Sequence, residues 1–184
     1  MTSVRGERVF IRRLEPTDAK QVLDLRLANR DFFRPWEPTR EESAYRLDGV
    51  TAELQISADL WDRDDGYVFG IFENDRDETL VGGIALRNVA RGAWQNATLG
   101  YWISETHNGK GYATEAVQLA TRFAFDHAHL HRVQAGTLLH NIASQRVLEK
   151  AGYRFEGVSL RYLRIDGRWQ DHRMYAITIE DLEG

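Results

Sequence analysis

The order of predicted elements assigns this chain to the α+β class, with a mixed, mostly antiparallel sheet of six to seven strands flanked by about four helices. Three observations carry the assignment. Short segments early, midway and late in the chain alternate apolar and polar residues with period two. Helical periodicity occupies Pro16 to Asn29, Glu41 to Asp62 and Gly111 to Ala128. Three strands then follow one another in the middle, whereas a doubly wound dinucleotide fold alternates strand and helix throughout. A length of 184 residues suits one domain, 1–184, able to bury a core without staples.

Taken in order, Arg8 to Leu14 alternates and reads as the first strand. Pro16 opens a helix carrying Val22, Leu23 and Leu27, since proline's fixed φ suits a first helical turn. Phe32 to Pro38 is an aromatic loop stiffened by Pro35 and Pro38. Leu47, Val50, Leu54 and Leu60 mark the helix from Glu41 to Asp62. After Asp64-Asp65-Gly66, Tyr67–Glu73 and Thr79–Val89 read as strands around the polar turn Asn74–Asp77, and Asn96–Ser104 as a third. The charge run Asp75–Glu78 belongs to that solvent-facing turn. The Gly111–Ala128 helix and the strand Arg132–Leu139 follow. Asn141 precedes a short helix that stops at Gly152, and Asp166-Gly167 joins the last two strands, 154–165 and 168–179, as a hairpin.

Composition narrows the function. With no cysteine, the chain has no disulfide framework, thiolate zinc site or cysteine nucleophile. A net charge of -4 weighs against nucleic acid as a direct ligand, because phosphate backbones need a basic stripe. The same charge tolerates a cationic amine or a basic protein. Met1 to Arg13 holds no apolar signal segment, and no run of about 18 apolar residues exists. The expectation is a cytoplasmic protein without a membrane role; its oligomeric state, monomer or homodimer, stays open. His127, His129 and His131 cluster near a helix end without carboxylate or thiolate ligands beside them, so no metal is expected.

The segment His107 to Glu115 lies between a predicted strand and a predicted helix. Backbone N–H groups at such a turn converge on a pyrophosphate, the helix dipole adds favourable potential, and glycine lets the phosphate approach the main chain. Spacing separates three phosphate motifs. A P-loop fails because Ser104 stands where its first glycine belongs and Gly111 follows Lys110. A dinucleotide fingerprint fails at Thr114. The acyl-CoA pattern of Gln or Arg, two residues, Gly, one residue, Gly or Ala accepts Gly111 and Ala113, with Asn108 in its first slot. On spacing alone, Gly109 and Gly111 equally make a plain turn before a helix.

Leu99 to Ile103, Gly109 to Ala116, Asn141 to Ser144 and Val147 to Tyr153 together resemble the GNAT superfamily of N-acetyltransferases. Pro35-Trp36-Glu37-Pro38, Val89 to Gly92 and Tyr162 to His172 resemble more narrowly its RimJ/RimL branch, the ribosomal-protein-alanine N-acetyltransferases, closest to the RimJ type. The resemblance covers nearly the whole chain. It implies a V-shaped splay between the strand ending near Ile103 and the strand ending near Leu138. Acetyl-CoA would lie there as co-substrate, its pantetheine arm against the Ile103 backbone. The cofactor-binding set would be Ile103, Asn108, Gly109, Lys110, Gly111, Tyr112, Ala113, Thr114, Asn141 and Ser144. Two departures matter: Asn108 replaces a longer side chain, and Thr98 stands where many relatives carry a Glu that serves as base.

The reaction class needs positioned reactants, a stabilised oxyanion and two managed protons. An α-amine, with a pKa of about 7.7–8.0, is partly neutral at pH 7, whereas a lysine at about 10.4 is almost wholly charged. A site without a carboxylate at Thr98 therefore suits an N-terminal α-amine, with a ribosomal protein's N-terminal alanine as first acceptor. The resemblance implies Ser144 as catalytic donor to the thiolate; Asn141 equally reads as a helix cap. Trp36, Glu37 and Tyr162 are candidates for the acceptor pocket, although both aromatics also suit core packing. Acetylation of a small amine such as an antibiotic or polyamine, or CoA binding without turnover, remain alternatives.

Overall fold

The computed structural model describes residues 3–74 and 78–182. In chain order it contains β1 (Ser3–Arg5), β2 (Val9–Arg13), a 3-10 turn at Pro16–Asp18, α1 (Ala19–Ala28), α2 (Arg30–Phe33) and a 3-10 turn at Glu42–Tyr45. Then come α3 (Leu47–Asp62), β3 (Tyr67–Glu73), β4 (Leu80–Ala90), β5 (Asn96–Ile103), a 3-10 turn at Glu105–His107 and α4 (Tyr112–Asp126). The chain ends with β6 (Arg132–Leu138), α5 (Ile142–Lys150), β7 (Arg154–Ile165), β8 (Arg168–Thr178) and a 3-10 turn at Ile179–Leu182. The strands form one sheet in the order β1-β2-β3-β4-β5-β6-β8-β7. All neighbours are antiparallel except β5 and β6.

The α+β class and the mostly antiparallel sheet are as expected, with two corrections to the element count. The sheet has 8 strands rather than six to seven. Ser3–Arg5 pairs with β2 across a turn closed by Gly6 N–H to the Val9 carbonyl at 2.9 Å, and three residues are too few to show an alternating pattern. Among the described residues there are five α-helices where about four were expected, because Arg30–Phe33 turns once inside the segment expected to be aromatic loop. The helix expected from Glu41 begins only at Leu47. Asp75, Arg76 and Asp77 of the expected polar turn lie outside the described residues. Among the described residues no helix is long and apolar enough to cross a membrane.

Alternation along the strands divides the core between the two faces of the sheet. On one face Tyr67, Phe69, Ile71, Ile84, Leu86 and Leu99 pack against Ala116, Val117, Ala120, Phe123 and Ala124 of α4. Trp61, at the end of α3, closes that cluster edge-on to Tyr67 and Phe69. On the opposite face Phe10, Phe72 and Leu80 meet Val22 of α1 with Val50 and Leu54 of α3. Burying a side chain of this size contributes roughly 1.5–3 kcal/mol, which fixes the register of both layers.

One irregularity shapes the centre of the sheet. β5 and β6 pair only at Asn96–Arg132, Ala97–Val133 and Thr98–Gln134. Beyond them β5 follows β4, with Ile103 opposite Gly82, while β6 follows β8, with Leu138 opposite His172. The two strands therefore diverge, as the V-shaped splay requires.

Candidate active site

The splay opens onto both faces of the sheet. Tyr101 and Ile103 belong to the α4 face, whereas Thr98, Gly100 and Trp102 belong to the other. Ile103 is buried through its side chain, while Leu99–Ile103 lies beyond the last pairing with β6. That edge of backbone is the part of Ile103 that faces the gap.

On the α4 face, Gly109 and Gly111 hold φ of +77° and +83°, left-handed values that glycine adopts without a Cβ penalty. A Cβ on Gly111 would stand 2.5 Å from Arg8 Nη1, whereas one on Gly109 would meet nothing within 4 Å. The intrahelical bond from Glu115 N–H to the Gly111 carbonyl measures 3.1 Å, so the N–H groups of Ala113 and Thr114 precede it at the positive end of the helix dipole. Asn108 turns its amide inward, donating to the Ser104 carbonyl at 3.2 Å, and so closes the turn itself. Lys110 Nζ lies 3.9 Å from Glu73 and 5.6 Å from the Tyr112 ring centre, while Tyr112 OH donates to the same carboxylate at 2.6 Å.

A cavity of about 440 Å³ adjoins this turn, lined by Gly111, Thr114 and Gln118 together with Arg5, Arg8, Arg122 and Lys150. Its volume falls within the roughly 300–1,000 Å³ of ordinary ligand sites. The four cations face two lining carboxylates, Glu7 and Glu115. Glu115 accepts N–H groups from Glu7 and from Arg8, the latter at 3.0 Å, which ties the β1–β2 turn to α4.

Asn141 does cap α5, its Oδ1 accepting the Ser144 N–H at 3.1 Å. Ser144 Oγ in turn lies 2.8 Å from Tyr101 OH, and the phenol also donates to the Ser144 carbonyl at 3.2 Å. Burial pushes the Tyr101 phenol up to about 12, with the Ser144 bond opposing it, so it stays protonated at neutral pH. Tyr101 was read only as a strand residue; its alternation with Leu99 and Ile103 gives its face, but its partner lies 43 residues away.

The opposite face is roofed by the aromatic loop. Phe33 packs edge-on to Trp102 at 5.2 Å, Trp36 lies 5.6 Å from His140, and the Glu37 carbonyl accepts the Asp166 N–H at 3.3 Å. The Glu37 carboxylate is held by a fork of Arg40 at 2.9 and 2.8 Å, so both its oxygens are engaged. Tyr162 sits over Gly136, where a Cβ would stand 3.3 Å from its ring, and meets His172 edge-on at 5.4 Å. Trp36 is 40% exposed, so its ring remains open to a ligand. The histidine cluster disperses: His127 rests on Phe123 and His131 bonds Glu180 at 2.8 Å. Among the described residues no three His, Cys, Asp or Glu side chains converge as metal ligands.

The family model described as an acetyltransferase (GNAT) domain matches residues 8–154. Over 180 residues the chain is 39% identical to the "Probable N-acetyltransferase YjcK" of Bacillus subtilis, covering 98% of this chain and 99% of that protein. Over 175 residues it is 35% identical to the ribosomal protein uS5-alanine N-acetyltransferase of Escherichia coli, covering 95% and 90%. Among solved structures, Mycobacterium smegmatis RimJ in complex with CoA-disulfide superposes with a TM-score of 0.89 at 28% identity, covering 100% of this chain and 93% of that one. A sheet parted at its centre, with a glycine turn on one side and an aromatic roof on the other, is here joined to matches of both sequence and fold. The chain belongs to the GNAT family of N-acetyltransferases.

Proposed function

We propose that residues 1–184 form one acetyltransferase domain that moves an acetyl group from acetyl-CoA to the α-amine of a protein N-terminus, with the N-terminal alanine of a ribosomal protein as first acceptor. The observation that carries this reading is the two-faced gap. A glycine turn with a cationic cavity beside it lies on the α4 face, and an aromatic cleft lies on the other. The nature of the Escherichia coli relative supports the acceptor class.

The residues of the α4 face fit the chemistry of CoA. N–H groups across Gly109 to Thr114 suit pyrophosphate oxygens, with Asn108 fixing the turn, and Lys110 and Arg8 contribute positive potential. Tyr112 anchors the turn through Glu73. The β5 edge at Ile103 suits the amides of pantetheine, as an added strand suits an open sheet edge. When bound, acetyl-CoA supplies the thioester carbonyl that an amine attacks.

The chain's own residues then position and protonate. Asn141 orients Ser144, which donates its proton to the departing thiolate, whose parent thiol has a pKa of about 8.5. Tyr101, protonated and hydrogen-bonded to Ser144, keeps that hydroxyl aimed. Trp36 and Tyr162 wall the acceptor side, and the Arg40-held carboxylate of Glu37 is a fixed hydrogen-bonding partner for the incoming ammonium rather than its base. At pH 7 on the order of a tenth or more of an α-amine is already neutral, against a few parts in ten thousand of a lysine, which selects the N-terminus.

Incubation with acetyl-CoA and a panel of alanine-terminated peptides, internal-lysine peptides and polyamines tests this, read by thiol release and product mass. Acetylation at the α-amine is expected. CoA binding without thiol release over the whole panel would refute the enzyme reading, and preference for polyamines would refute the acceptor.

A further inference from the structure

The proposed reaction leaves one proton without an acceptor. Thr98 has no carboxylate, and both oxygens of Glu37 are engaged by Arg40. One buried titratable side chain on the acceptor face has no role so far. His172 on β8 is 3% exposed, and its register sets it opposite Leu138 in the splayed part of β6 and Ser159 of β7. It shares that face with Gly136, where a Cβ would stand 3.6 Å from His172 Cδ2, and Tyr162 covers it edge-on. Its Nδ1 lies 3.0 Å from the Gln170 carbonyl. A carbonyl only accepts, so Nδ1 carries the proton and Nε2 presents a lone pair. Nε2 has no hydrogen-bond partner among the described residues. Burial pushes the imidazole below its ordinary value, with the Gln170 carbonyl and the Asp171 charge opposing, so the ring is neutral at pH 7.

We propose that His172 Nε2 is the base that removes a proton from the acceptor ammonium, directly or through one water. This rests on the acetyltransferase reading above. Nε2 takes one proton from nitrogen and returns it to solvent. The freed lone pair forms the C–N bond, and the carbonyl π pair moves to oxygen. The oxygen pair then re-forms the carbonyl as the C–S bond breaks; the electron pair of that bond stays on sulfur, which takes the Ser144 proton, while the second proton leaving nitrogen restores Ser144.

The strength of this base also selects the acceptor. From an α-ammonium at about 7.7–8.0 to an imidazole at or below about 6.5, the transfer is uphill by at least about 15-fold. From a lysine at about 10.4 it is uphill by nearly ten-thousandfold. A weak, neutral imidazole therefore serves an N-terminus and fails a lysine. The titratable groups beside it are Tyr162 on β7 and Asp171 on its own strand, whose carboxylate accepts the Arg161 N–H at 2.8 Å. Its β6 neighbours Leu138 and Gly136 bring no charge.

The test compares wild type with His172→Gln, using saturating acetyl-CoA and an alanine-terminated peptide between about pH 6.5 and about pH 9. The expected loss in kcat near pH 7 is about six- to tenfold, since the variant turns over only the fraction of amine that is already neutral. That loss should shrink by about six- to tenfold toward pH 9, as the amine sheds its own proton. KM for acetyl-CoA should not move. A loss constant across pH marks a structural role and overturns the proposal, as does a fully active variant. Should the variant not fold, nitrogen-15 spectra of wild-type His172 decide: a neutral Nδ1–H tautomer at pH 7 upholds the assignment, and an Nε2–H or charged ring overturns it. A wild type that binds CoA yet acetylates no amine sinks the acetyltransferase reading itself, and this base with it.

Discussion

Replacing Gly111 and Gly109 separately by alanine tests the cofactor turn against its plainest alternative, a helix lead-in with no ligand. Both residues hold left-handed φ, +83° and +77°, so each variant incurs the roughly 1–2 kcal/mol that an L-residue meets there. For a domain of this size that lowers the melting temperature by about 2–8 °C, equally for the two. Their surroundings differ. A Cβ at Gly109 enters open space, while one at Gly111 lies 2.5 Å from Arg8 Nη1. Because that atom ends a flexible side chain, Arg8 swings away at little cost to folding. The move instead withdraws a cation from the cavity, and a charged hydrogen bond to phosphate is worth about 1.5–3 kcal/mol. Gly111→Ala should therefore weaken CoA binding by about 10- to 150-fold, and Gly109→Ala by much less. Titration calorimetry with CoA and thermal melting on the same samples measure the two effects. If both variants melt lower as stated and Gly111→Ala binds CoA unchanged, the turn is not a phosphate cradle and the reasoning fails.

Three further outcomes follow from the site and its supports. Ser144→Ala should reduce kcat by about 100-fold or more while sparing the peptide KM, and an unchanged turnover number removes Ser144 from the chemistry. Arg40→Met strands the Glu37 carboxylate, of which 19% is exposed, and should cost on the order of 2 kcal/mol in chemical denaturation, less than a fully buried pair. It should also raise the peptide KM, as should Glu37→Gln; unaltered values would detach the pair from the acceptor. Asp18 is pushed up by burial but held lower on balance by Arg12 and the Glu15 N–H. Its contribution is thus complete above the ordinary carboxylate value of about 3.9 and is lost as pH falls through the depressed one. The melting temperature of Asp18→Asn should depend less steeply on pH below about pH 4 than that of wild type, and parallel curves would contradict this.

What could be read beforehand divides along physical lines. β3, β4, β5 and α4 were legible because each buries a face long enough to impose its period on the sequence. β1 was not, since Ser3–Arg5 is set by pairing with β2 across a turn whose Glu7 and Arg8 N–H groups are held by Glu115, more than a hundred residues away. The glycine turn stood out because left-handed backbone selects a residue type. Asn141 was legible as a cap for the same local reason. Tyr101 and the Arg40 fork on Glu37 were not: hydrogen bonds between distant side chains leave no spacing in the chain. His172 belonged to a recognised stretch, yet only the register with β6 reveals which way it faces.

The short parallel pairing between β5 and β6 has a mechanical meaning. Three residue pairs and the Gln95 carbonyl, which accepts from His131 and Arg132 at 2.8 and 3.1 Å, form the ladder between five strands on one side and three on the other. The molecule is thus two ribbons joined at one end like the arms of tweezers, with the fulcrum at Gln95–Thr98. No ladder joins the arms beyond that point; the shared core under α4, the Tyr101–Ser144 bond and the Glu37–Asp166 bond instead set the separation of the tips at Ile103 and Leu138. A guest that bonds to both tips gains stiffness for the whole sheet from a few hydrogen bonds. A substitution that lengthens or shortens the fulcrum alters the aperture without touching any residue inside it.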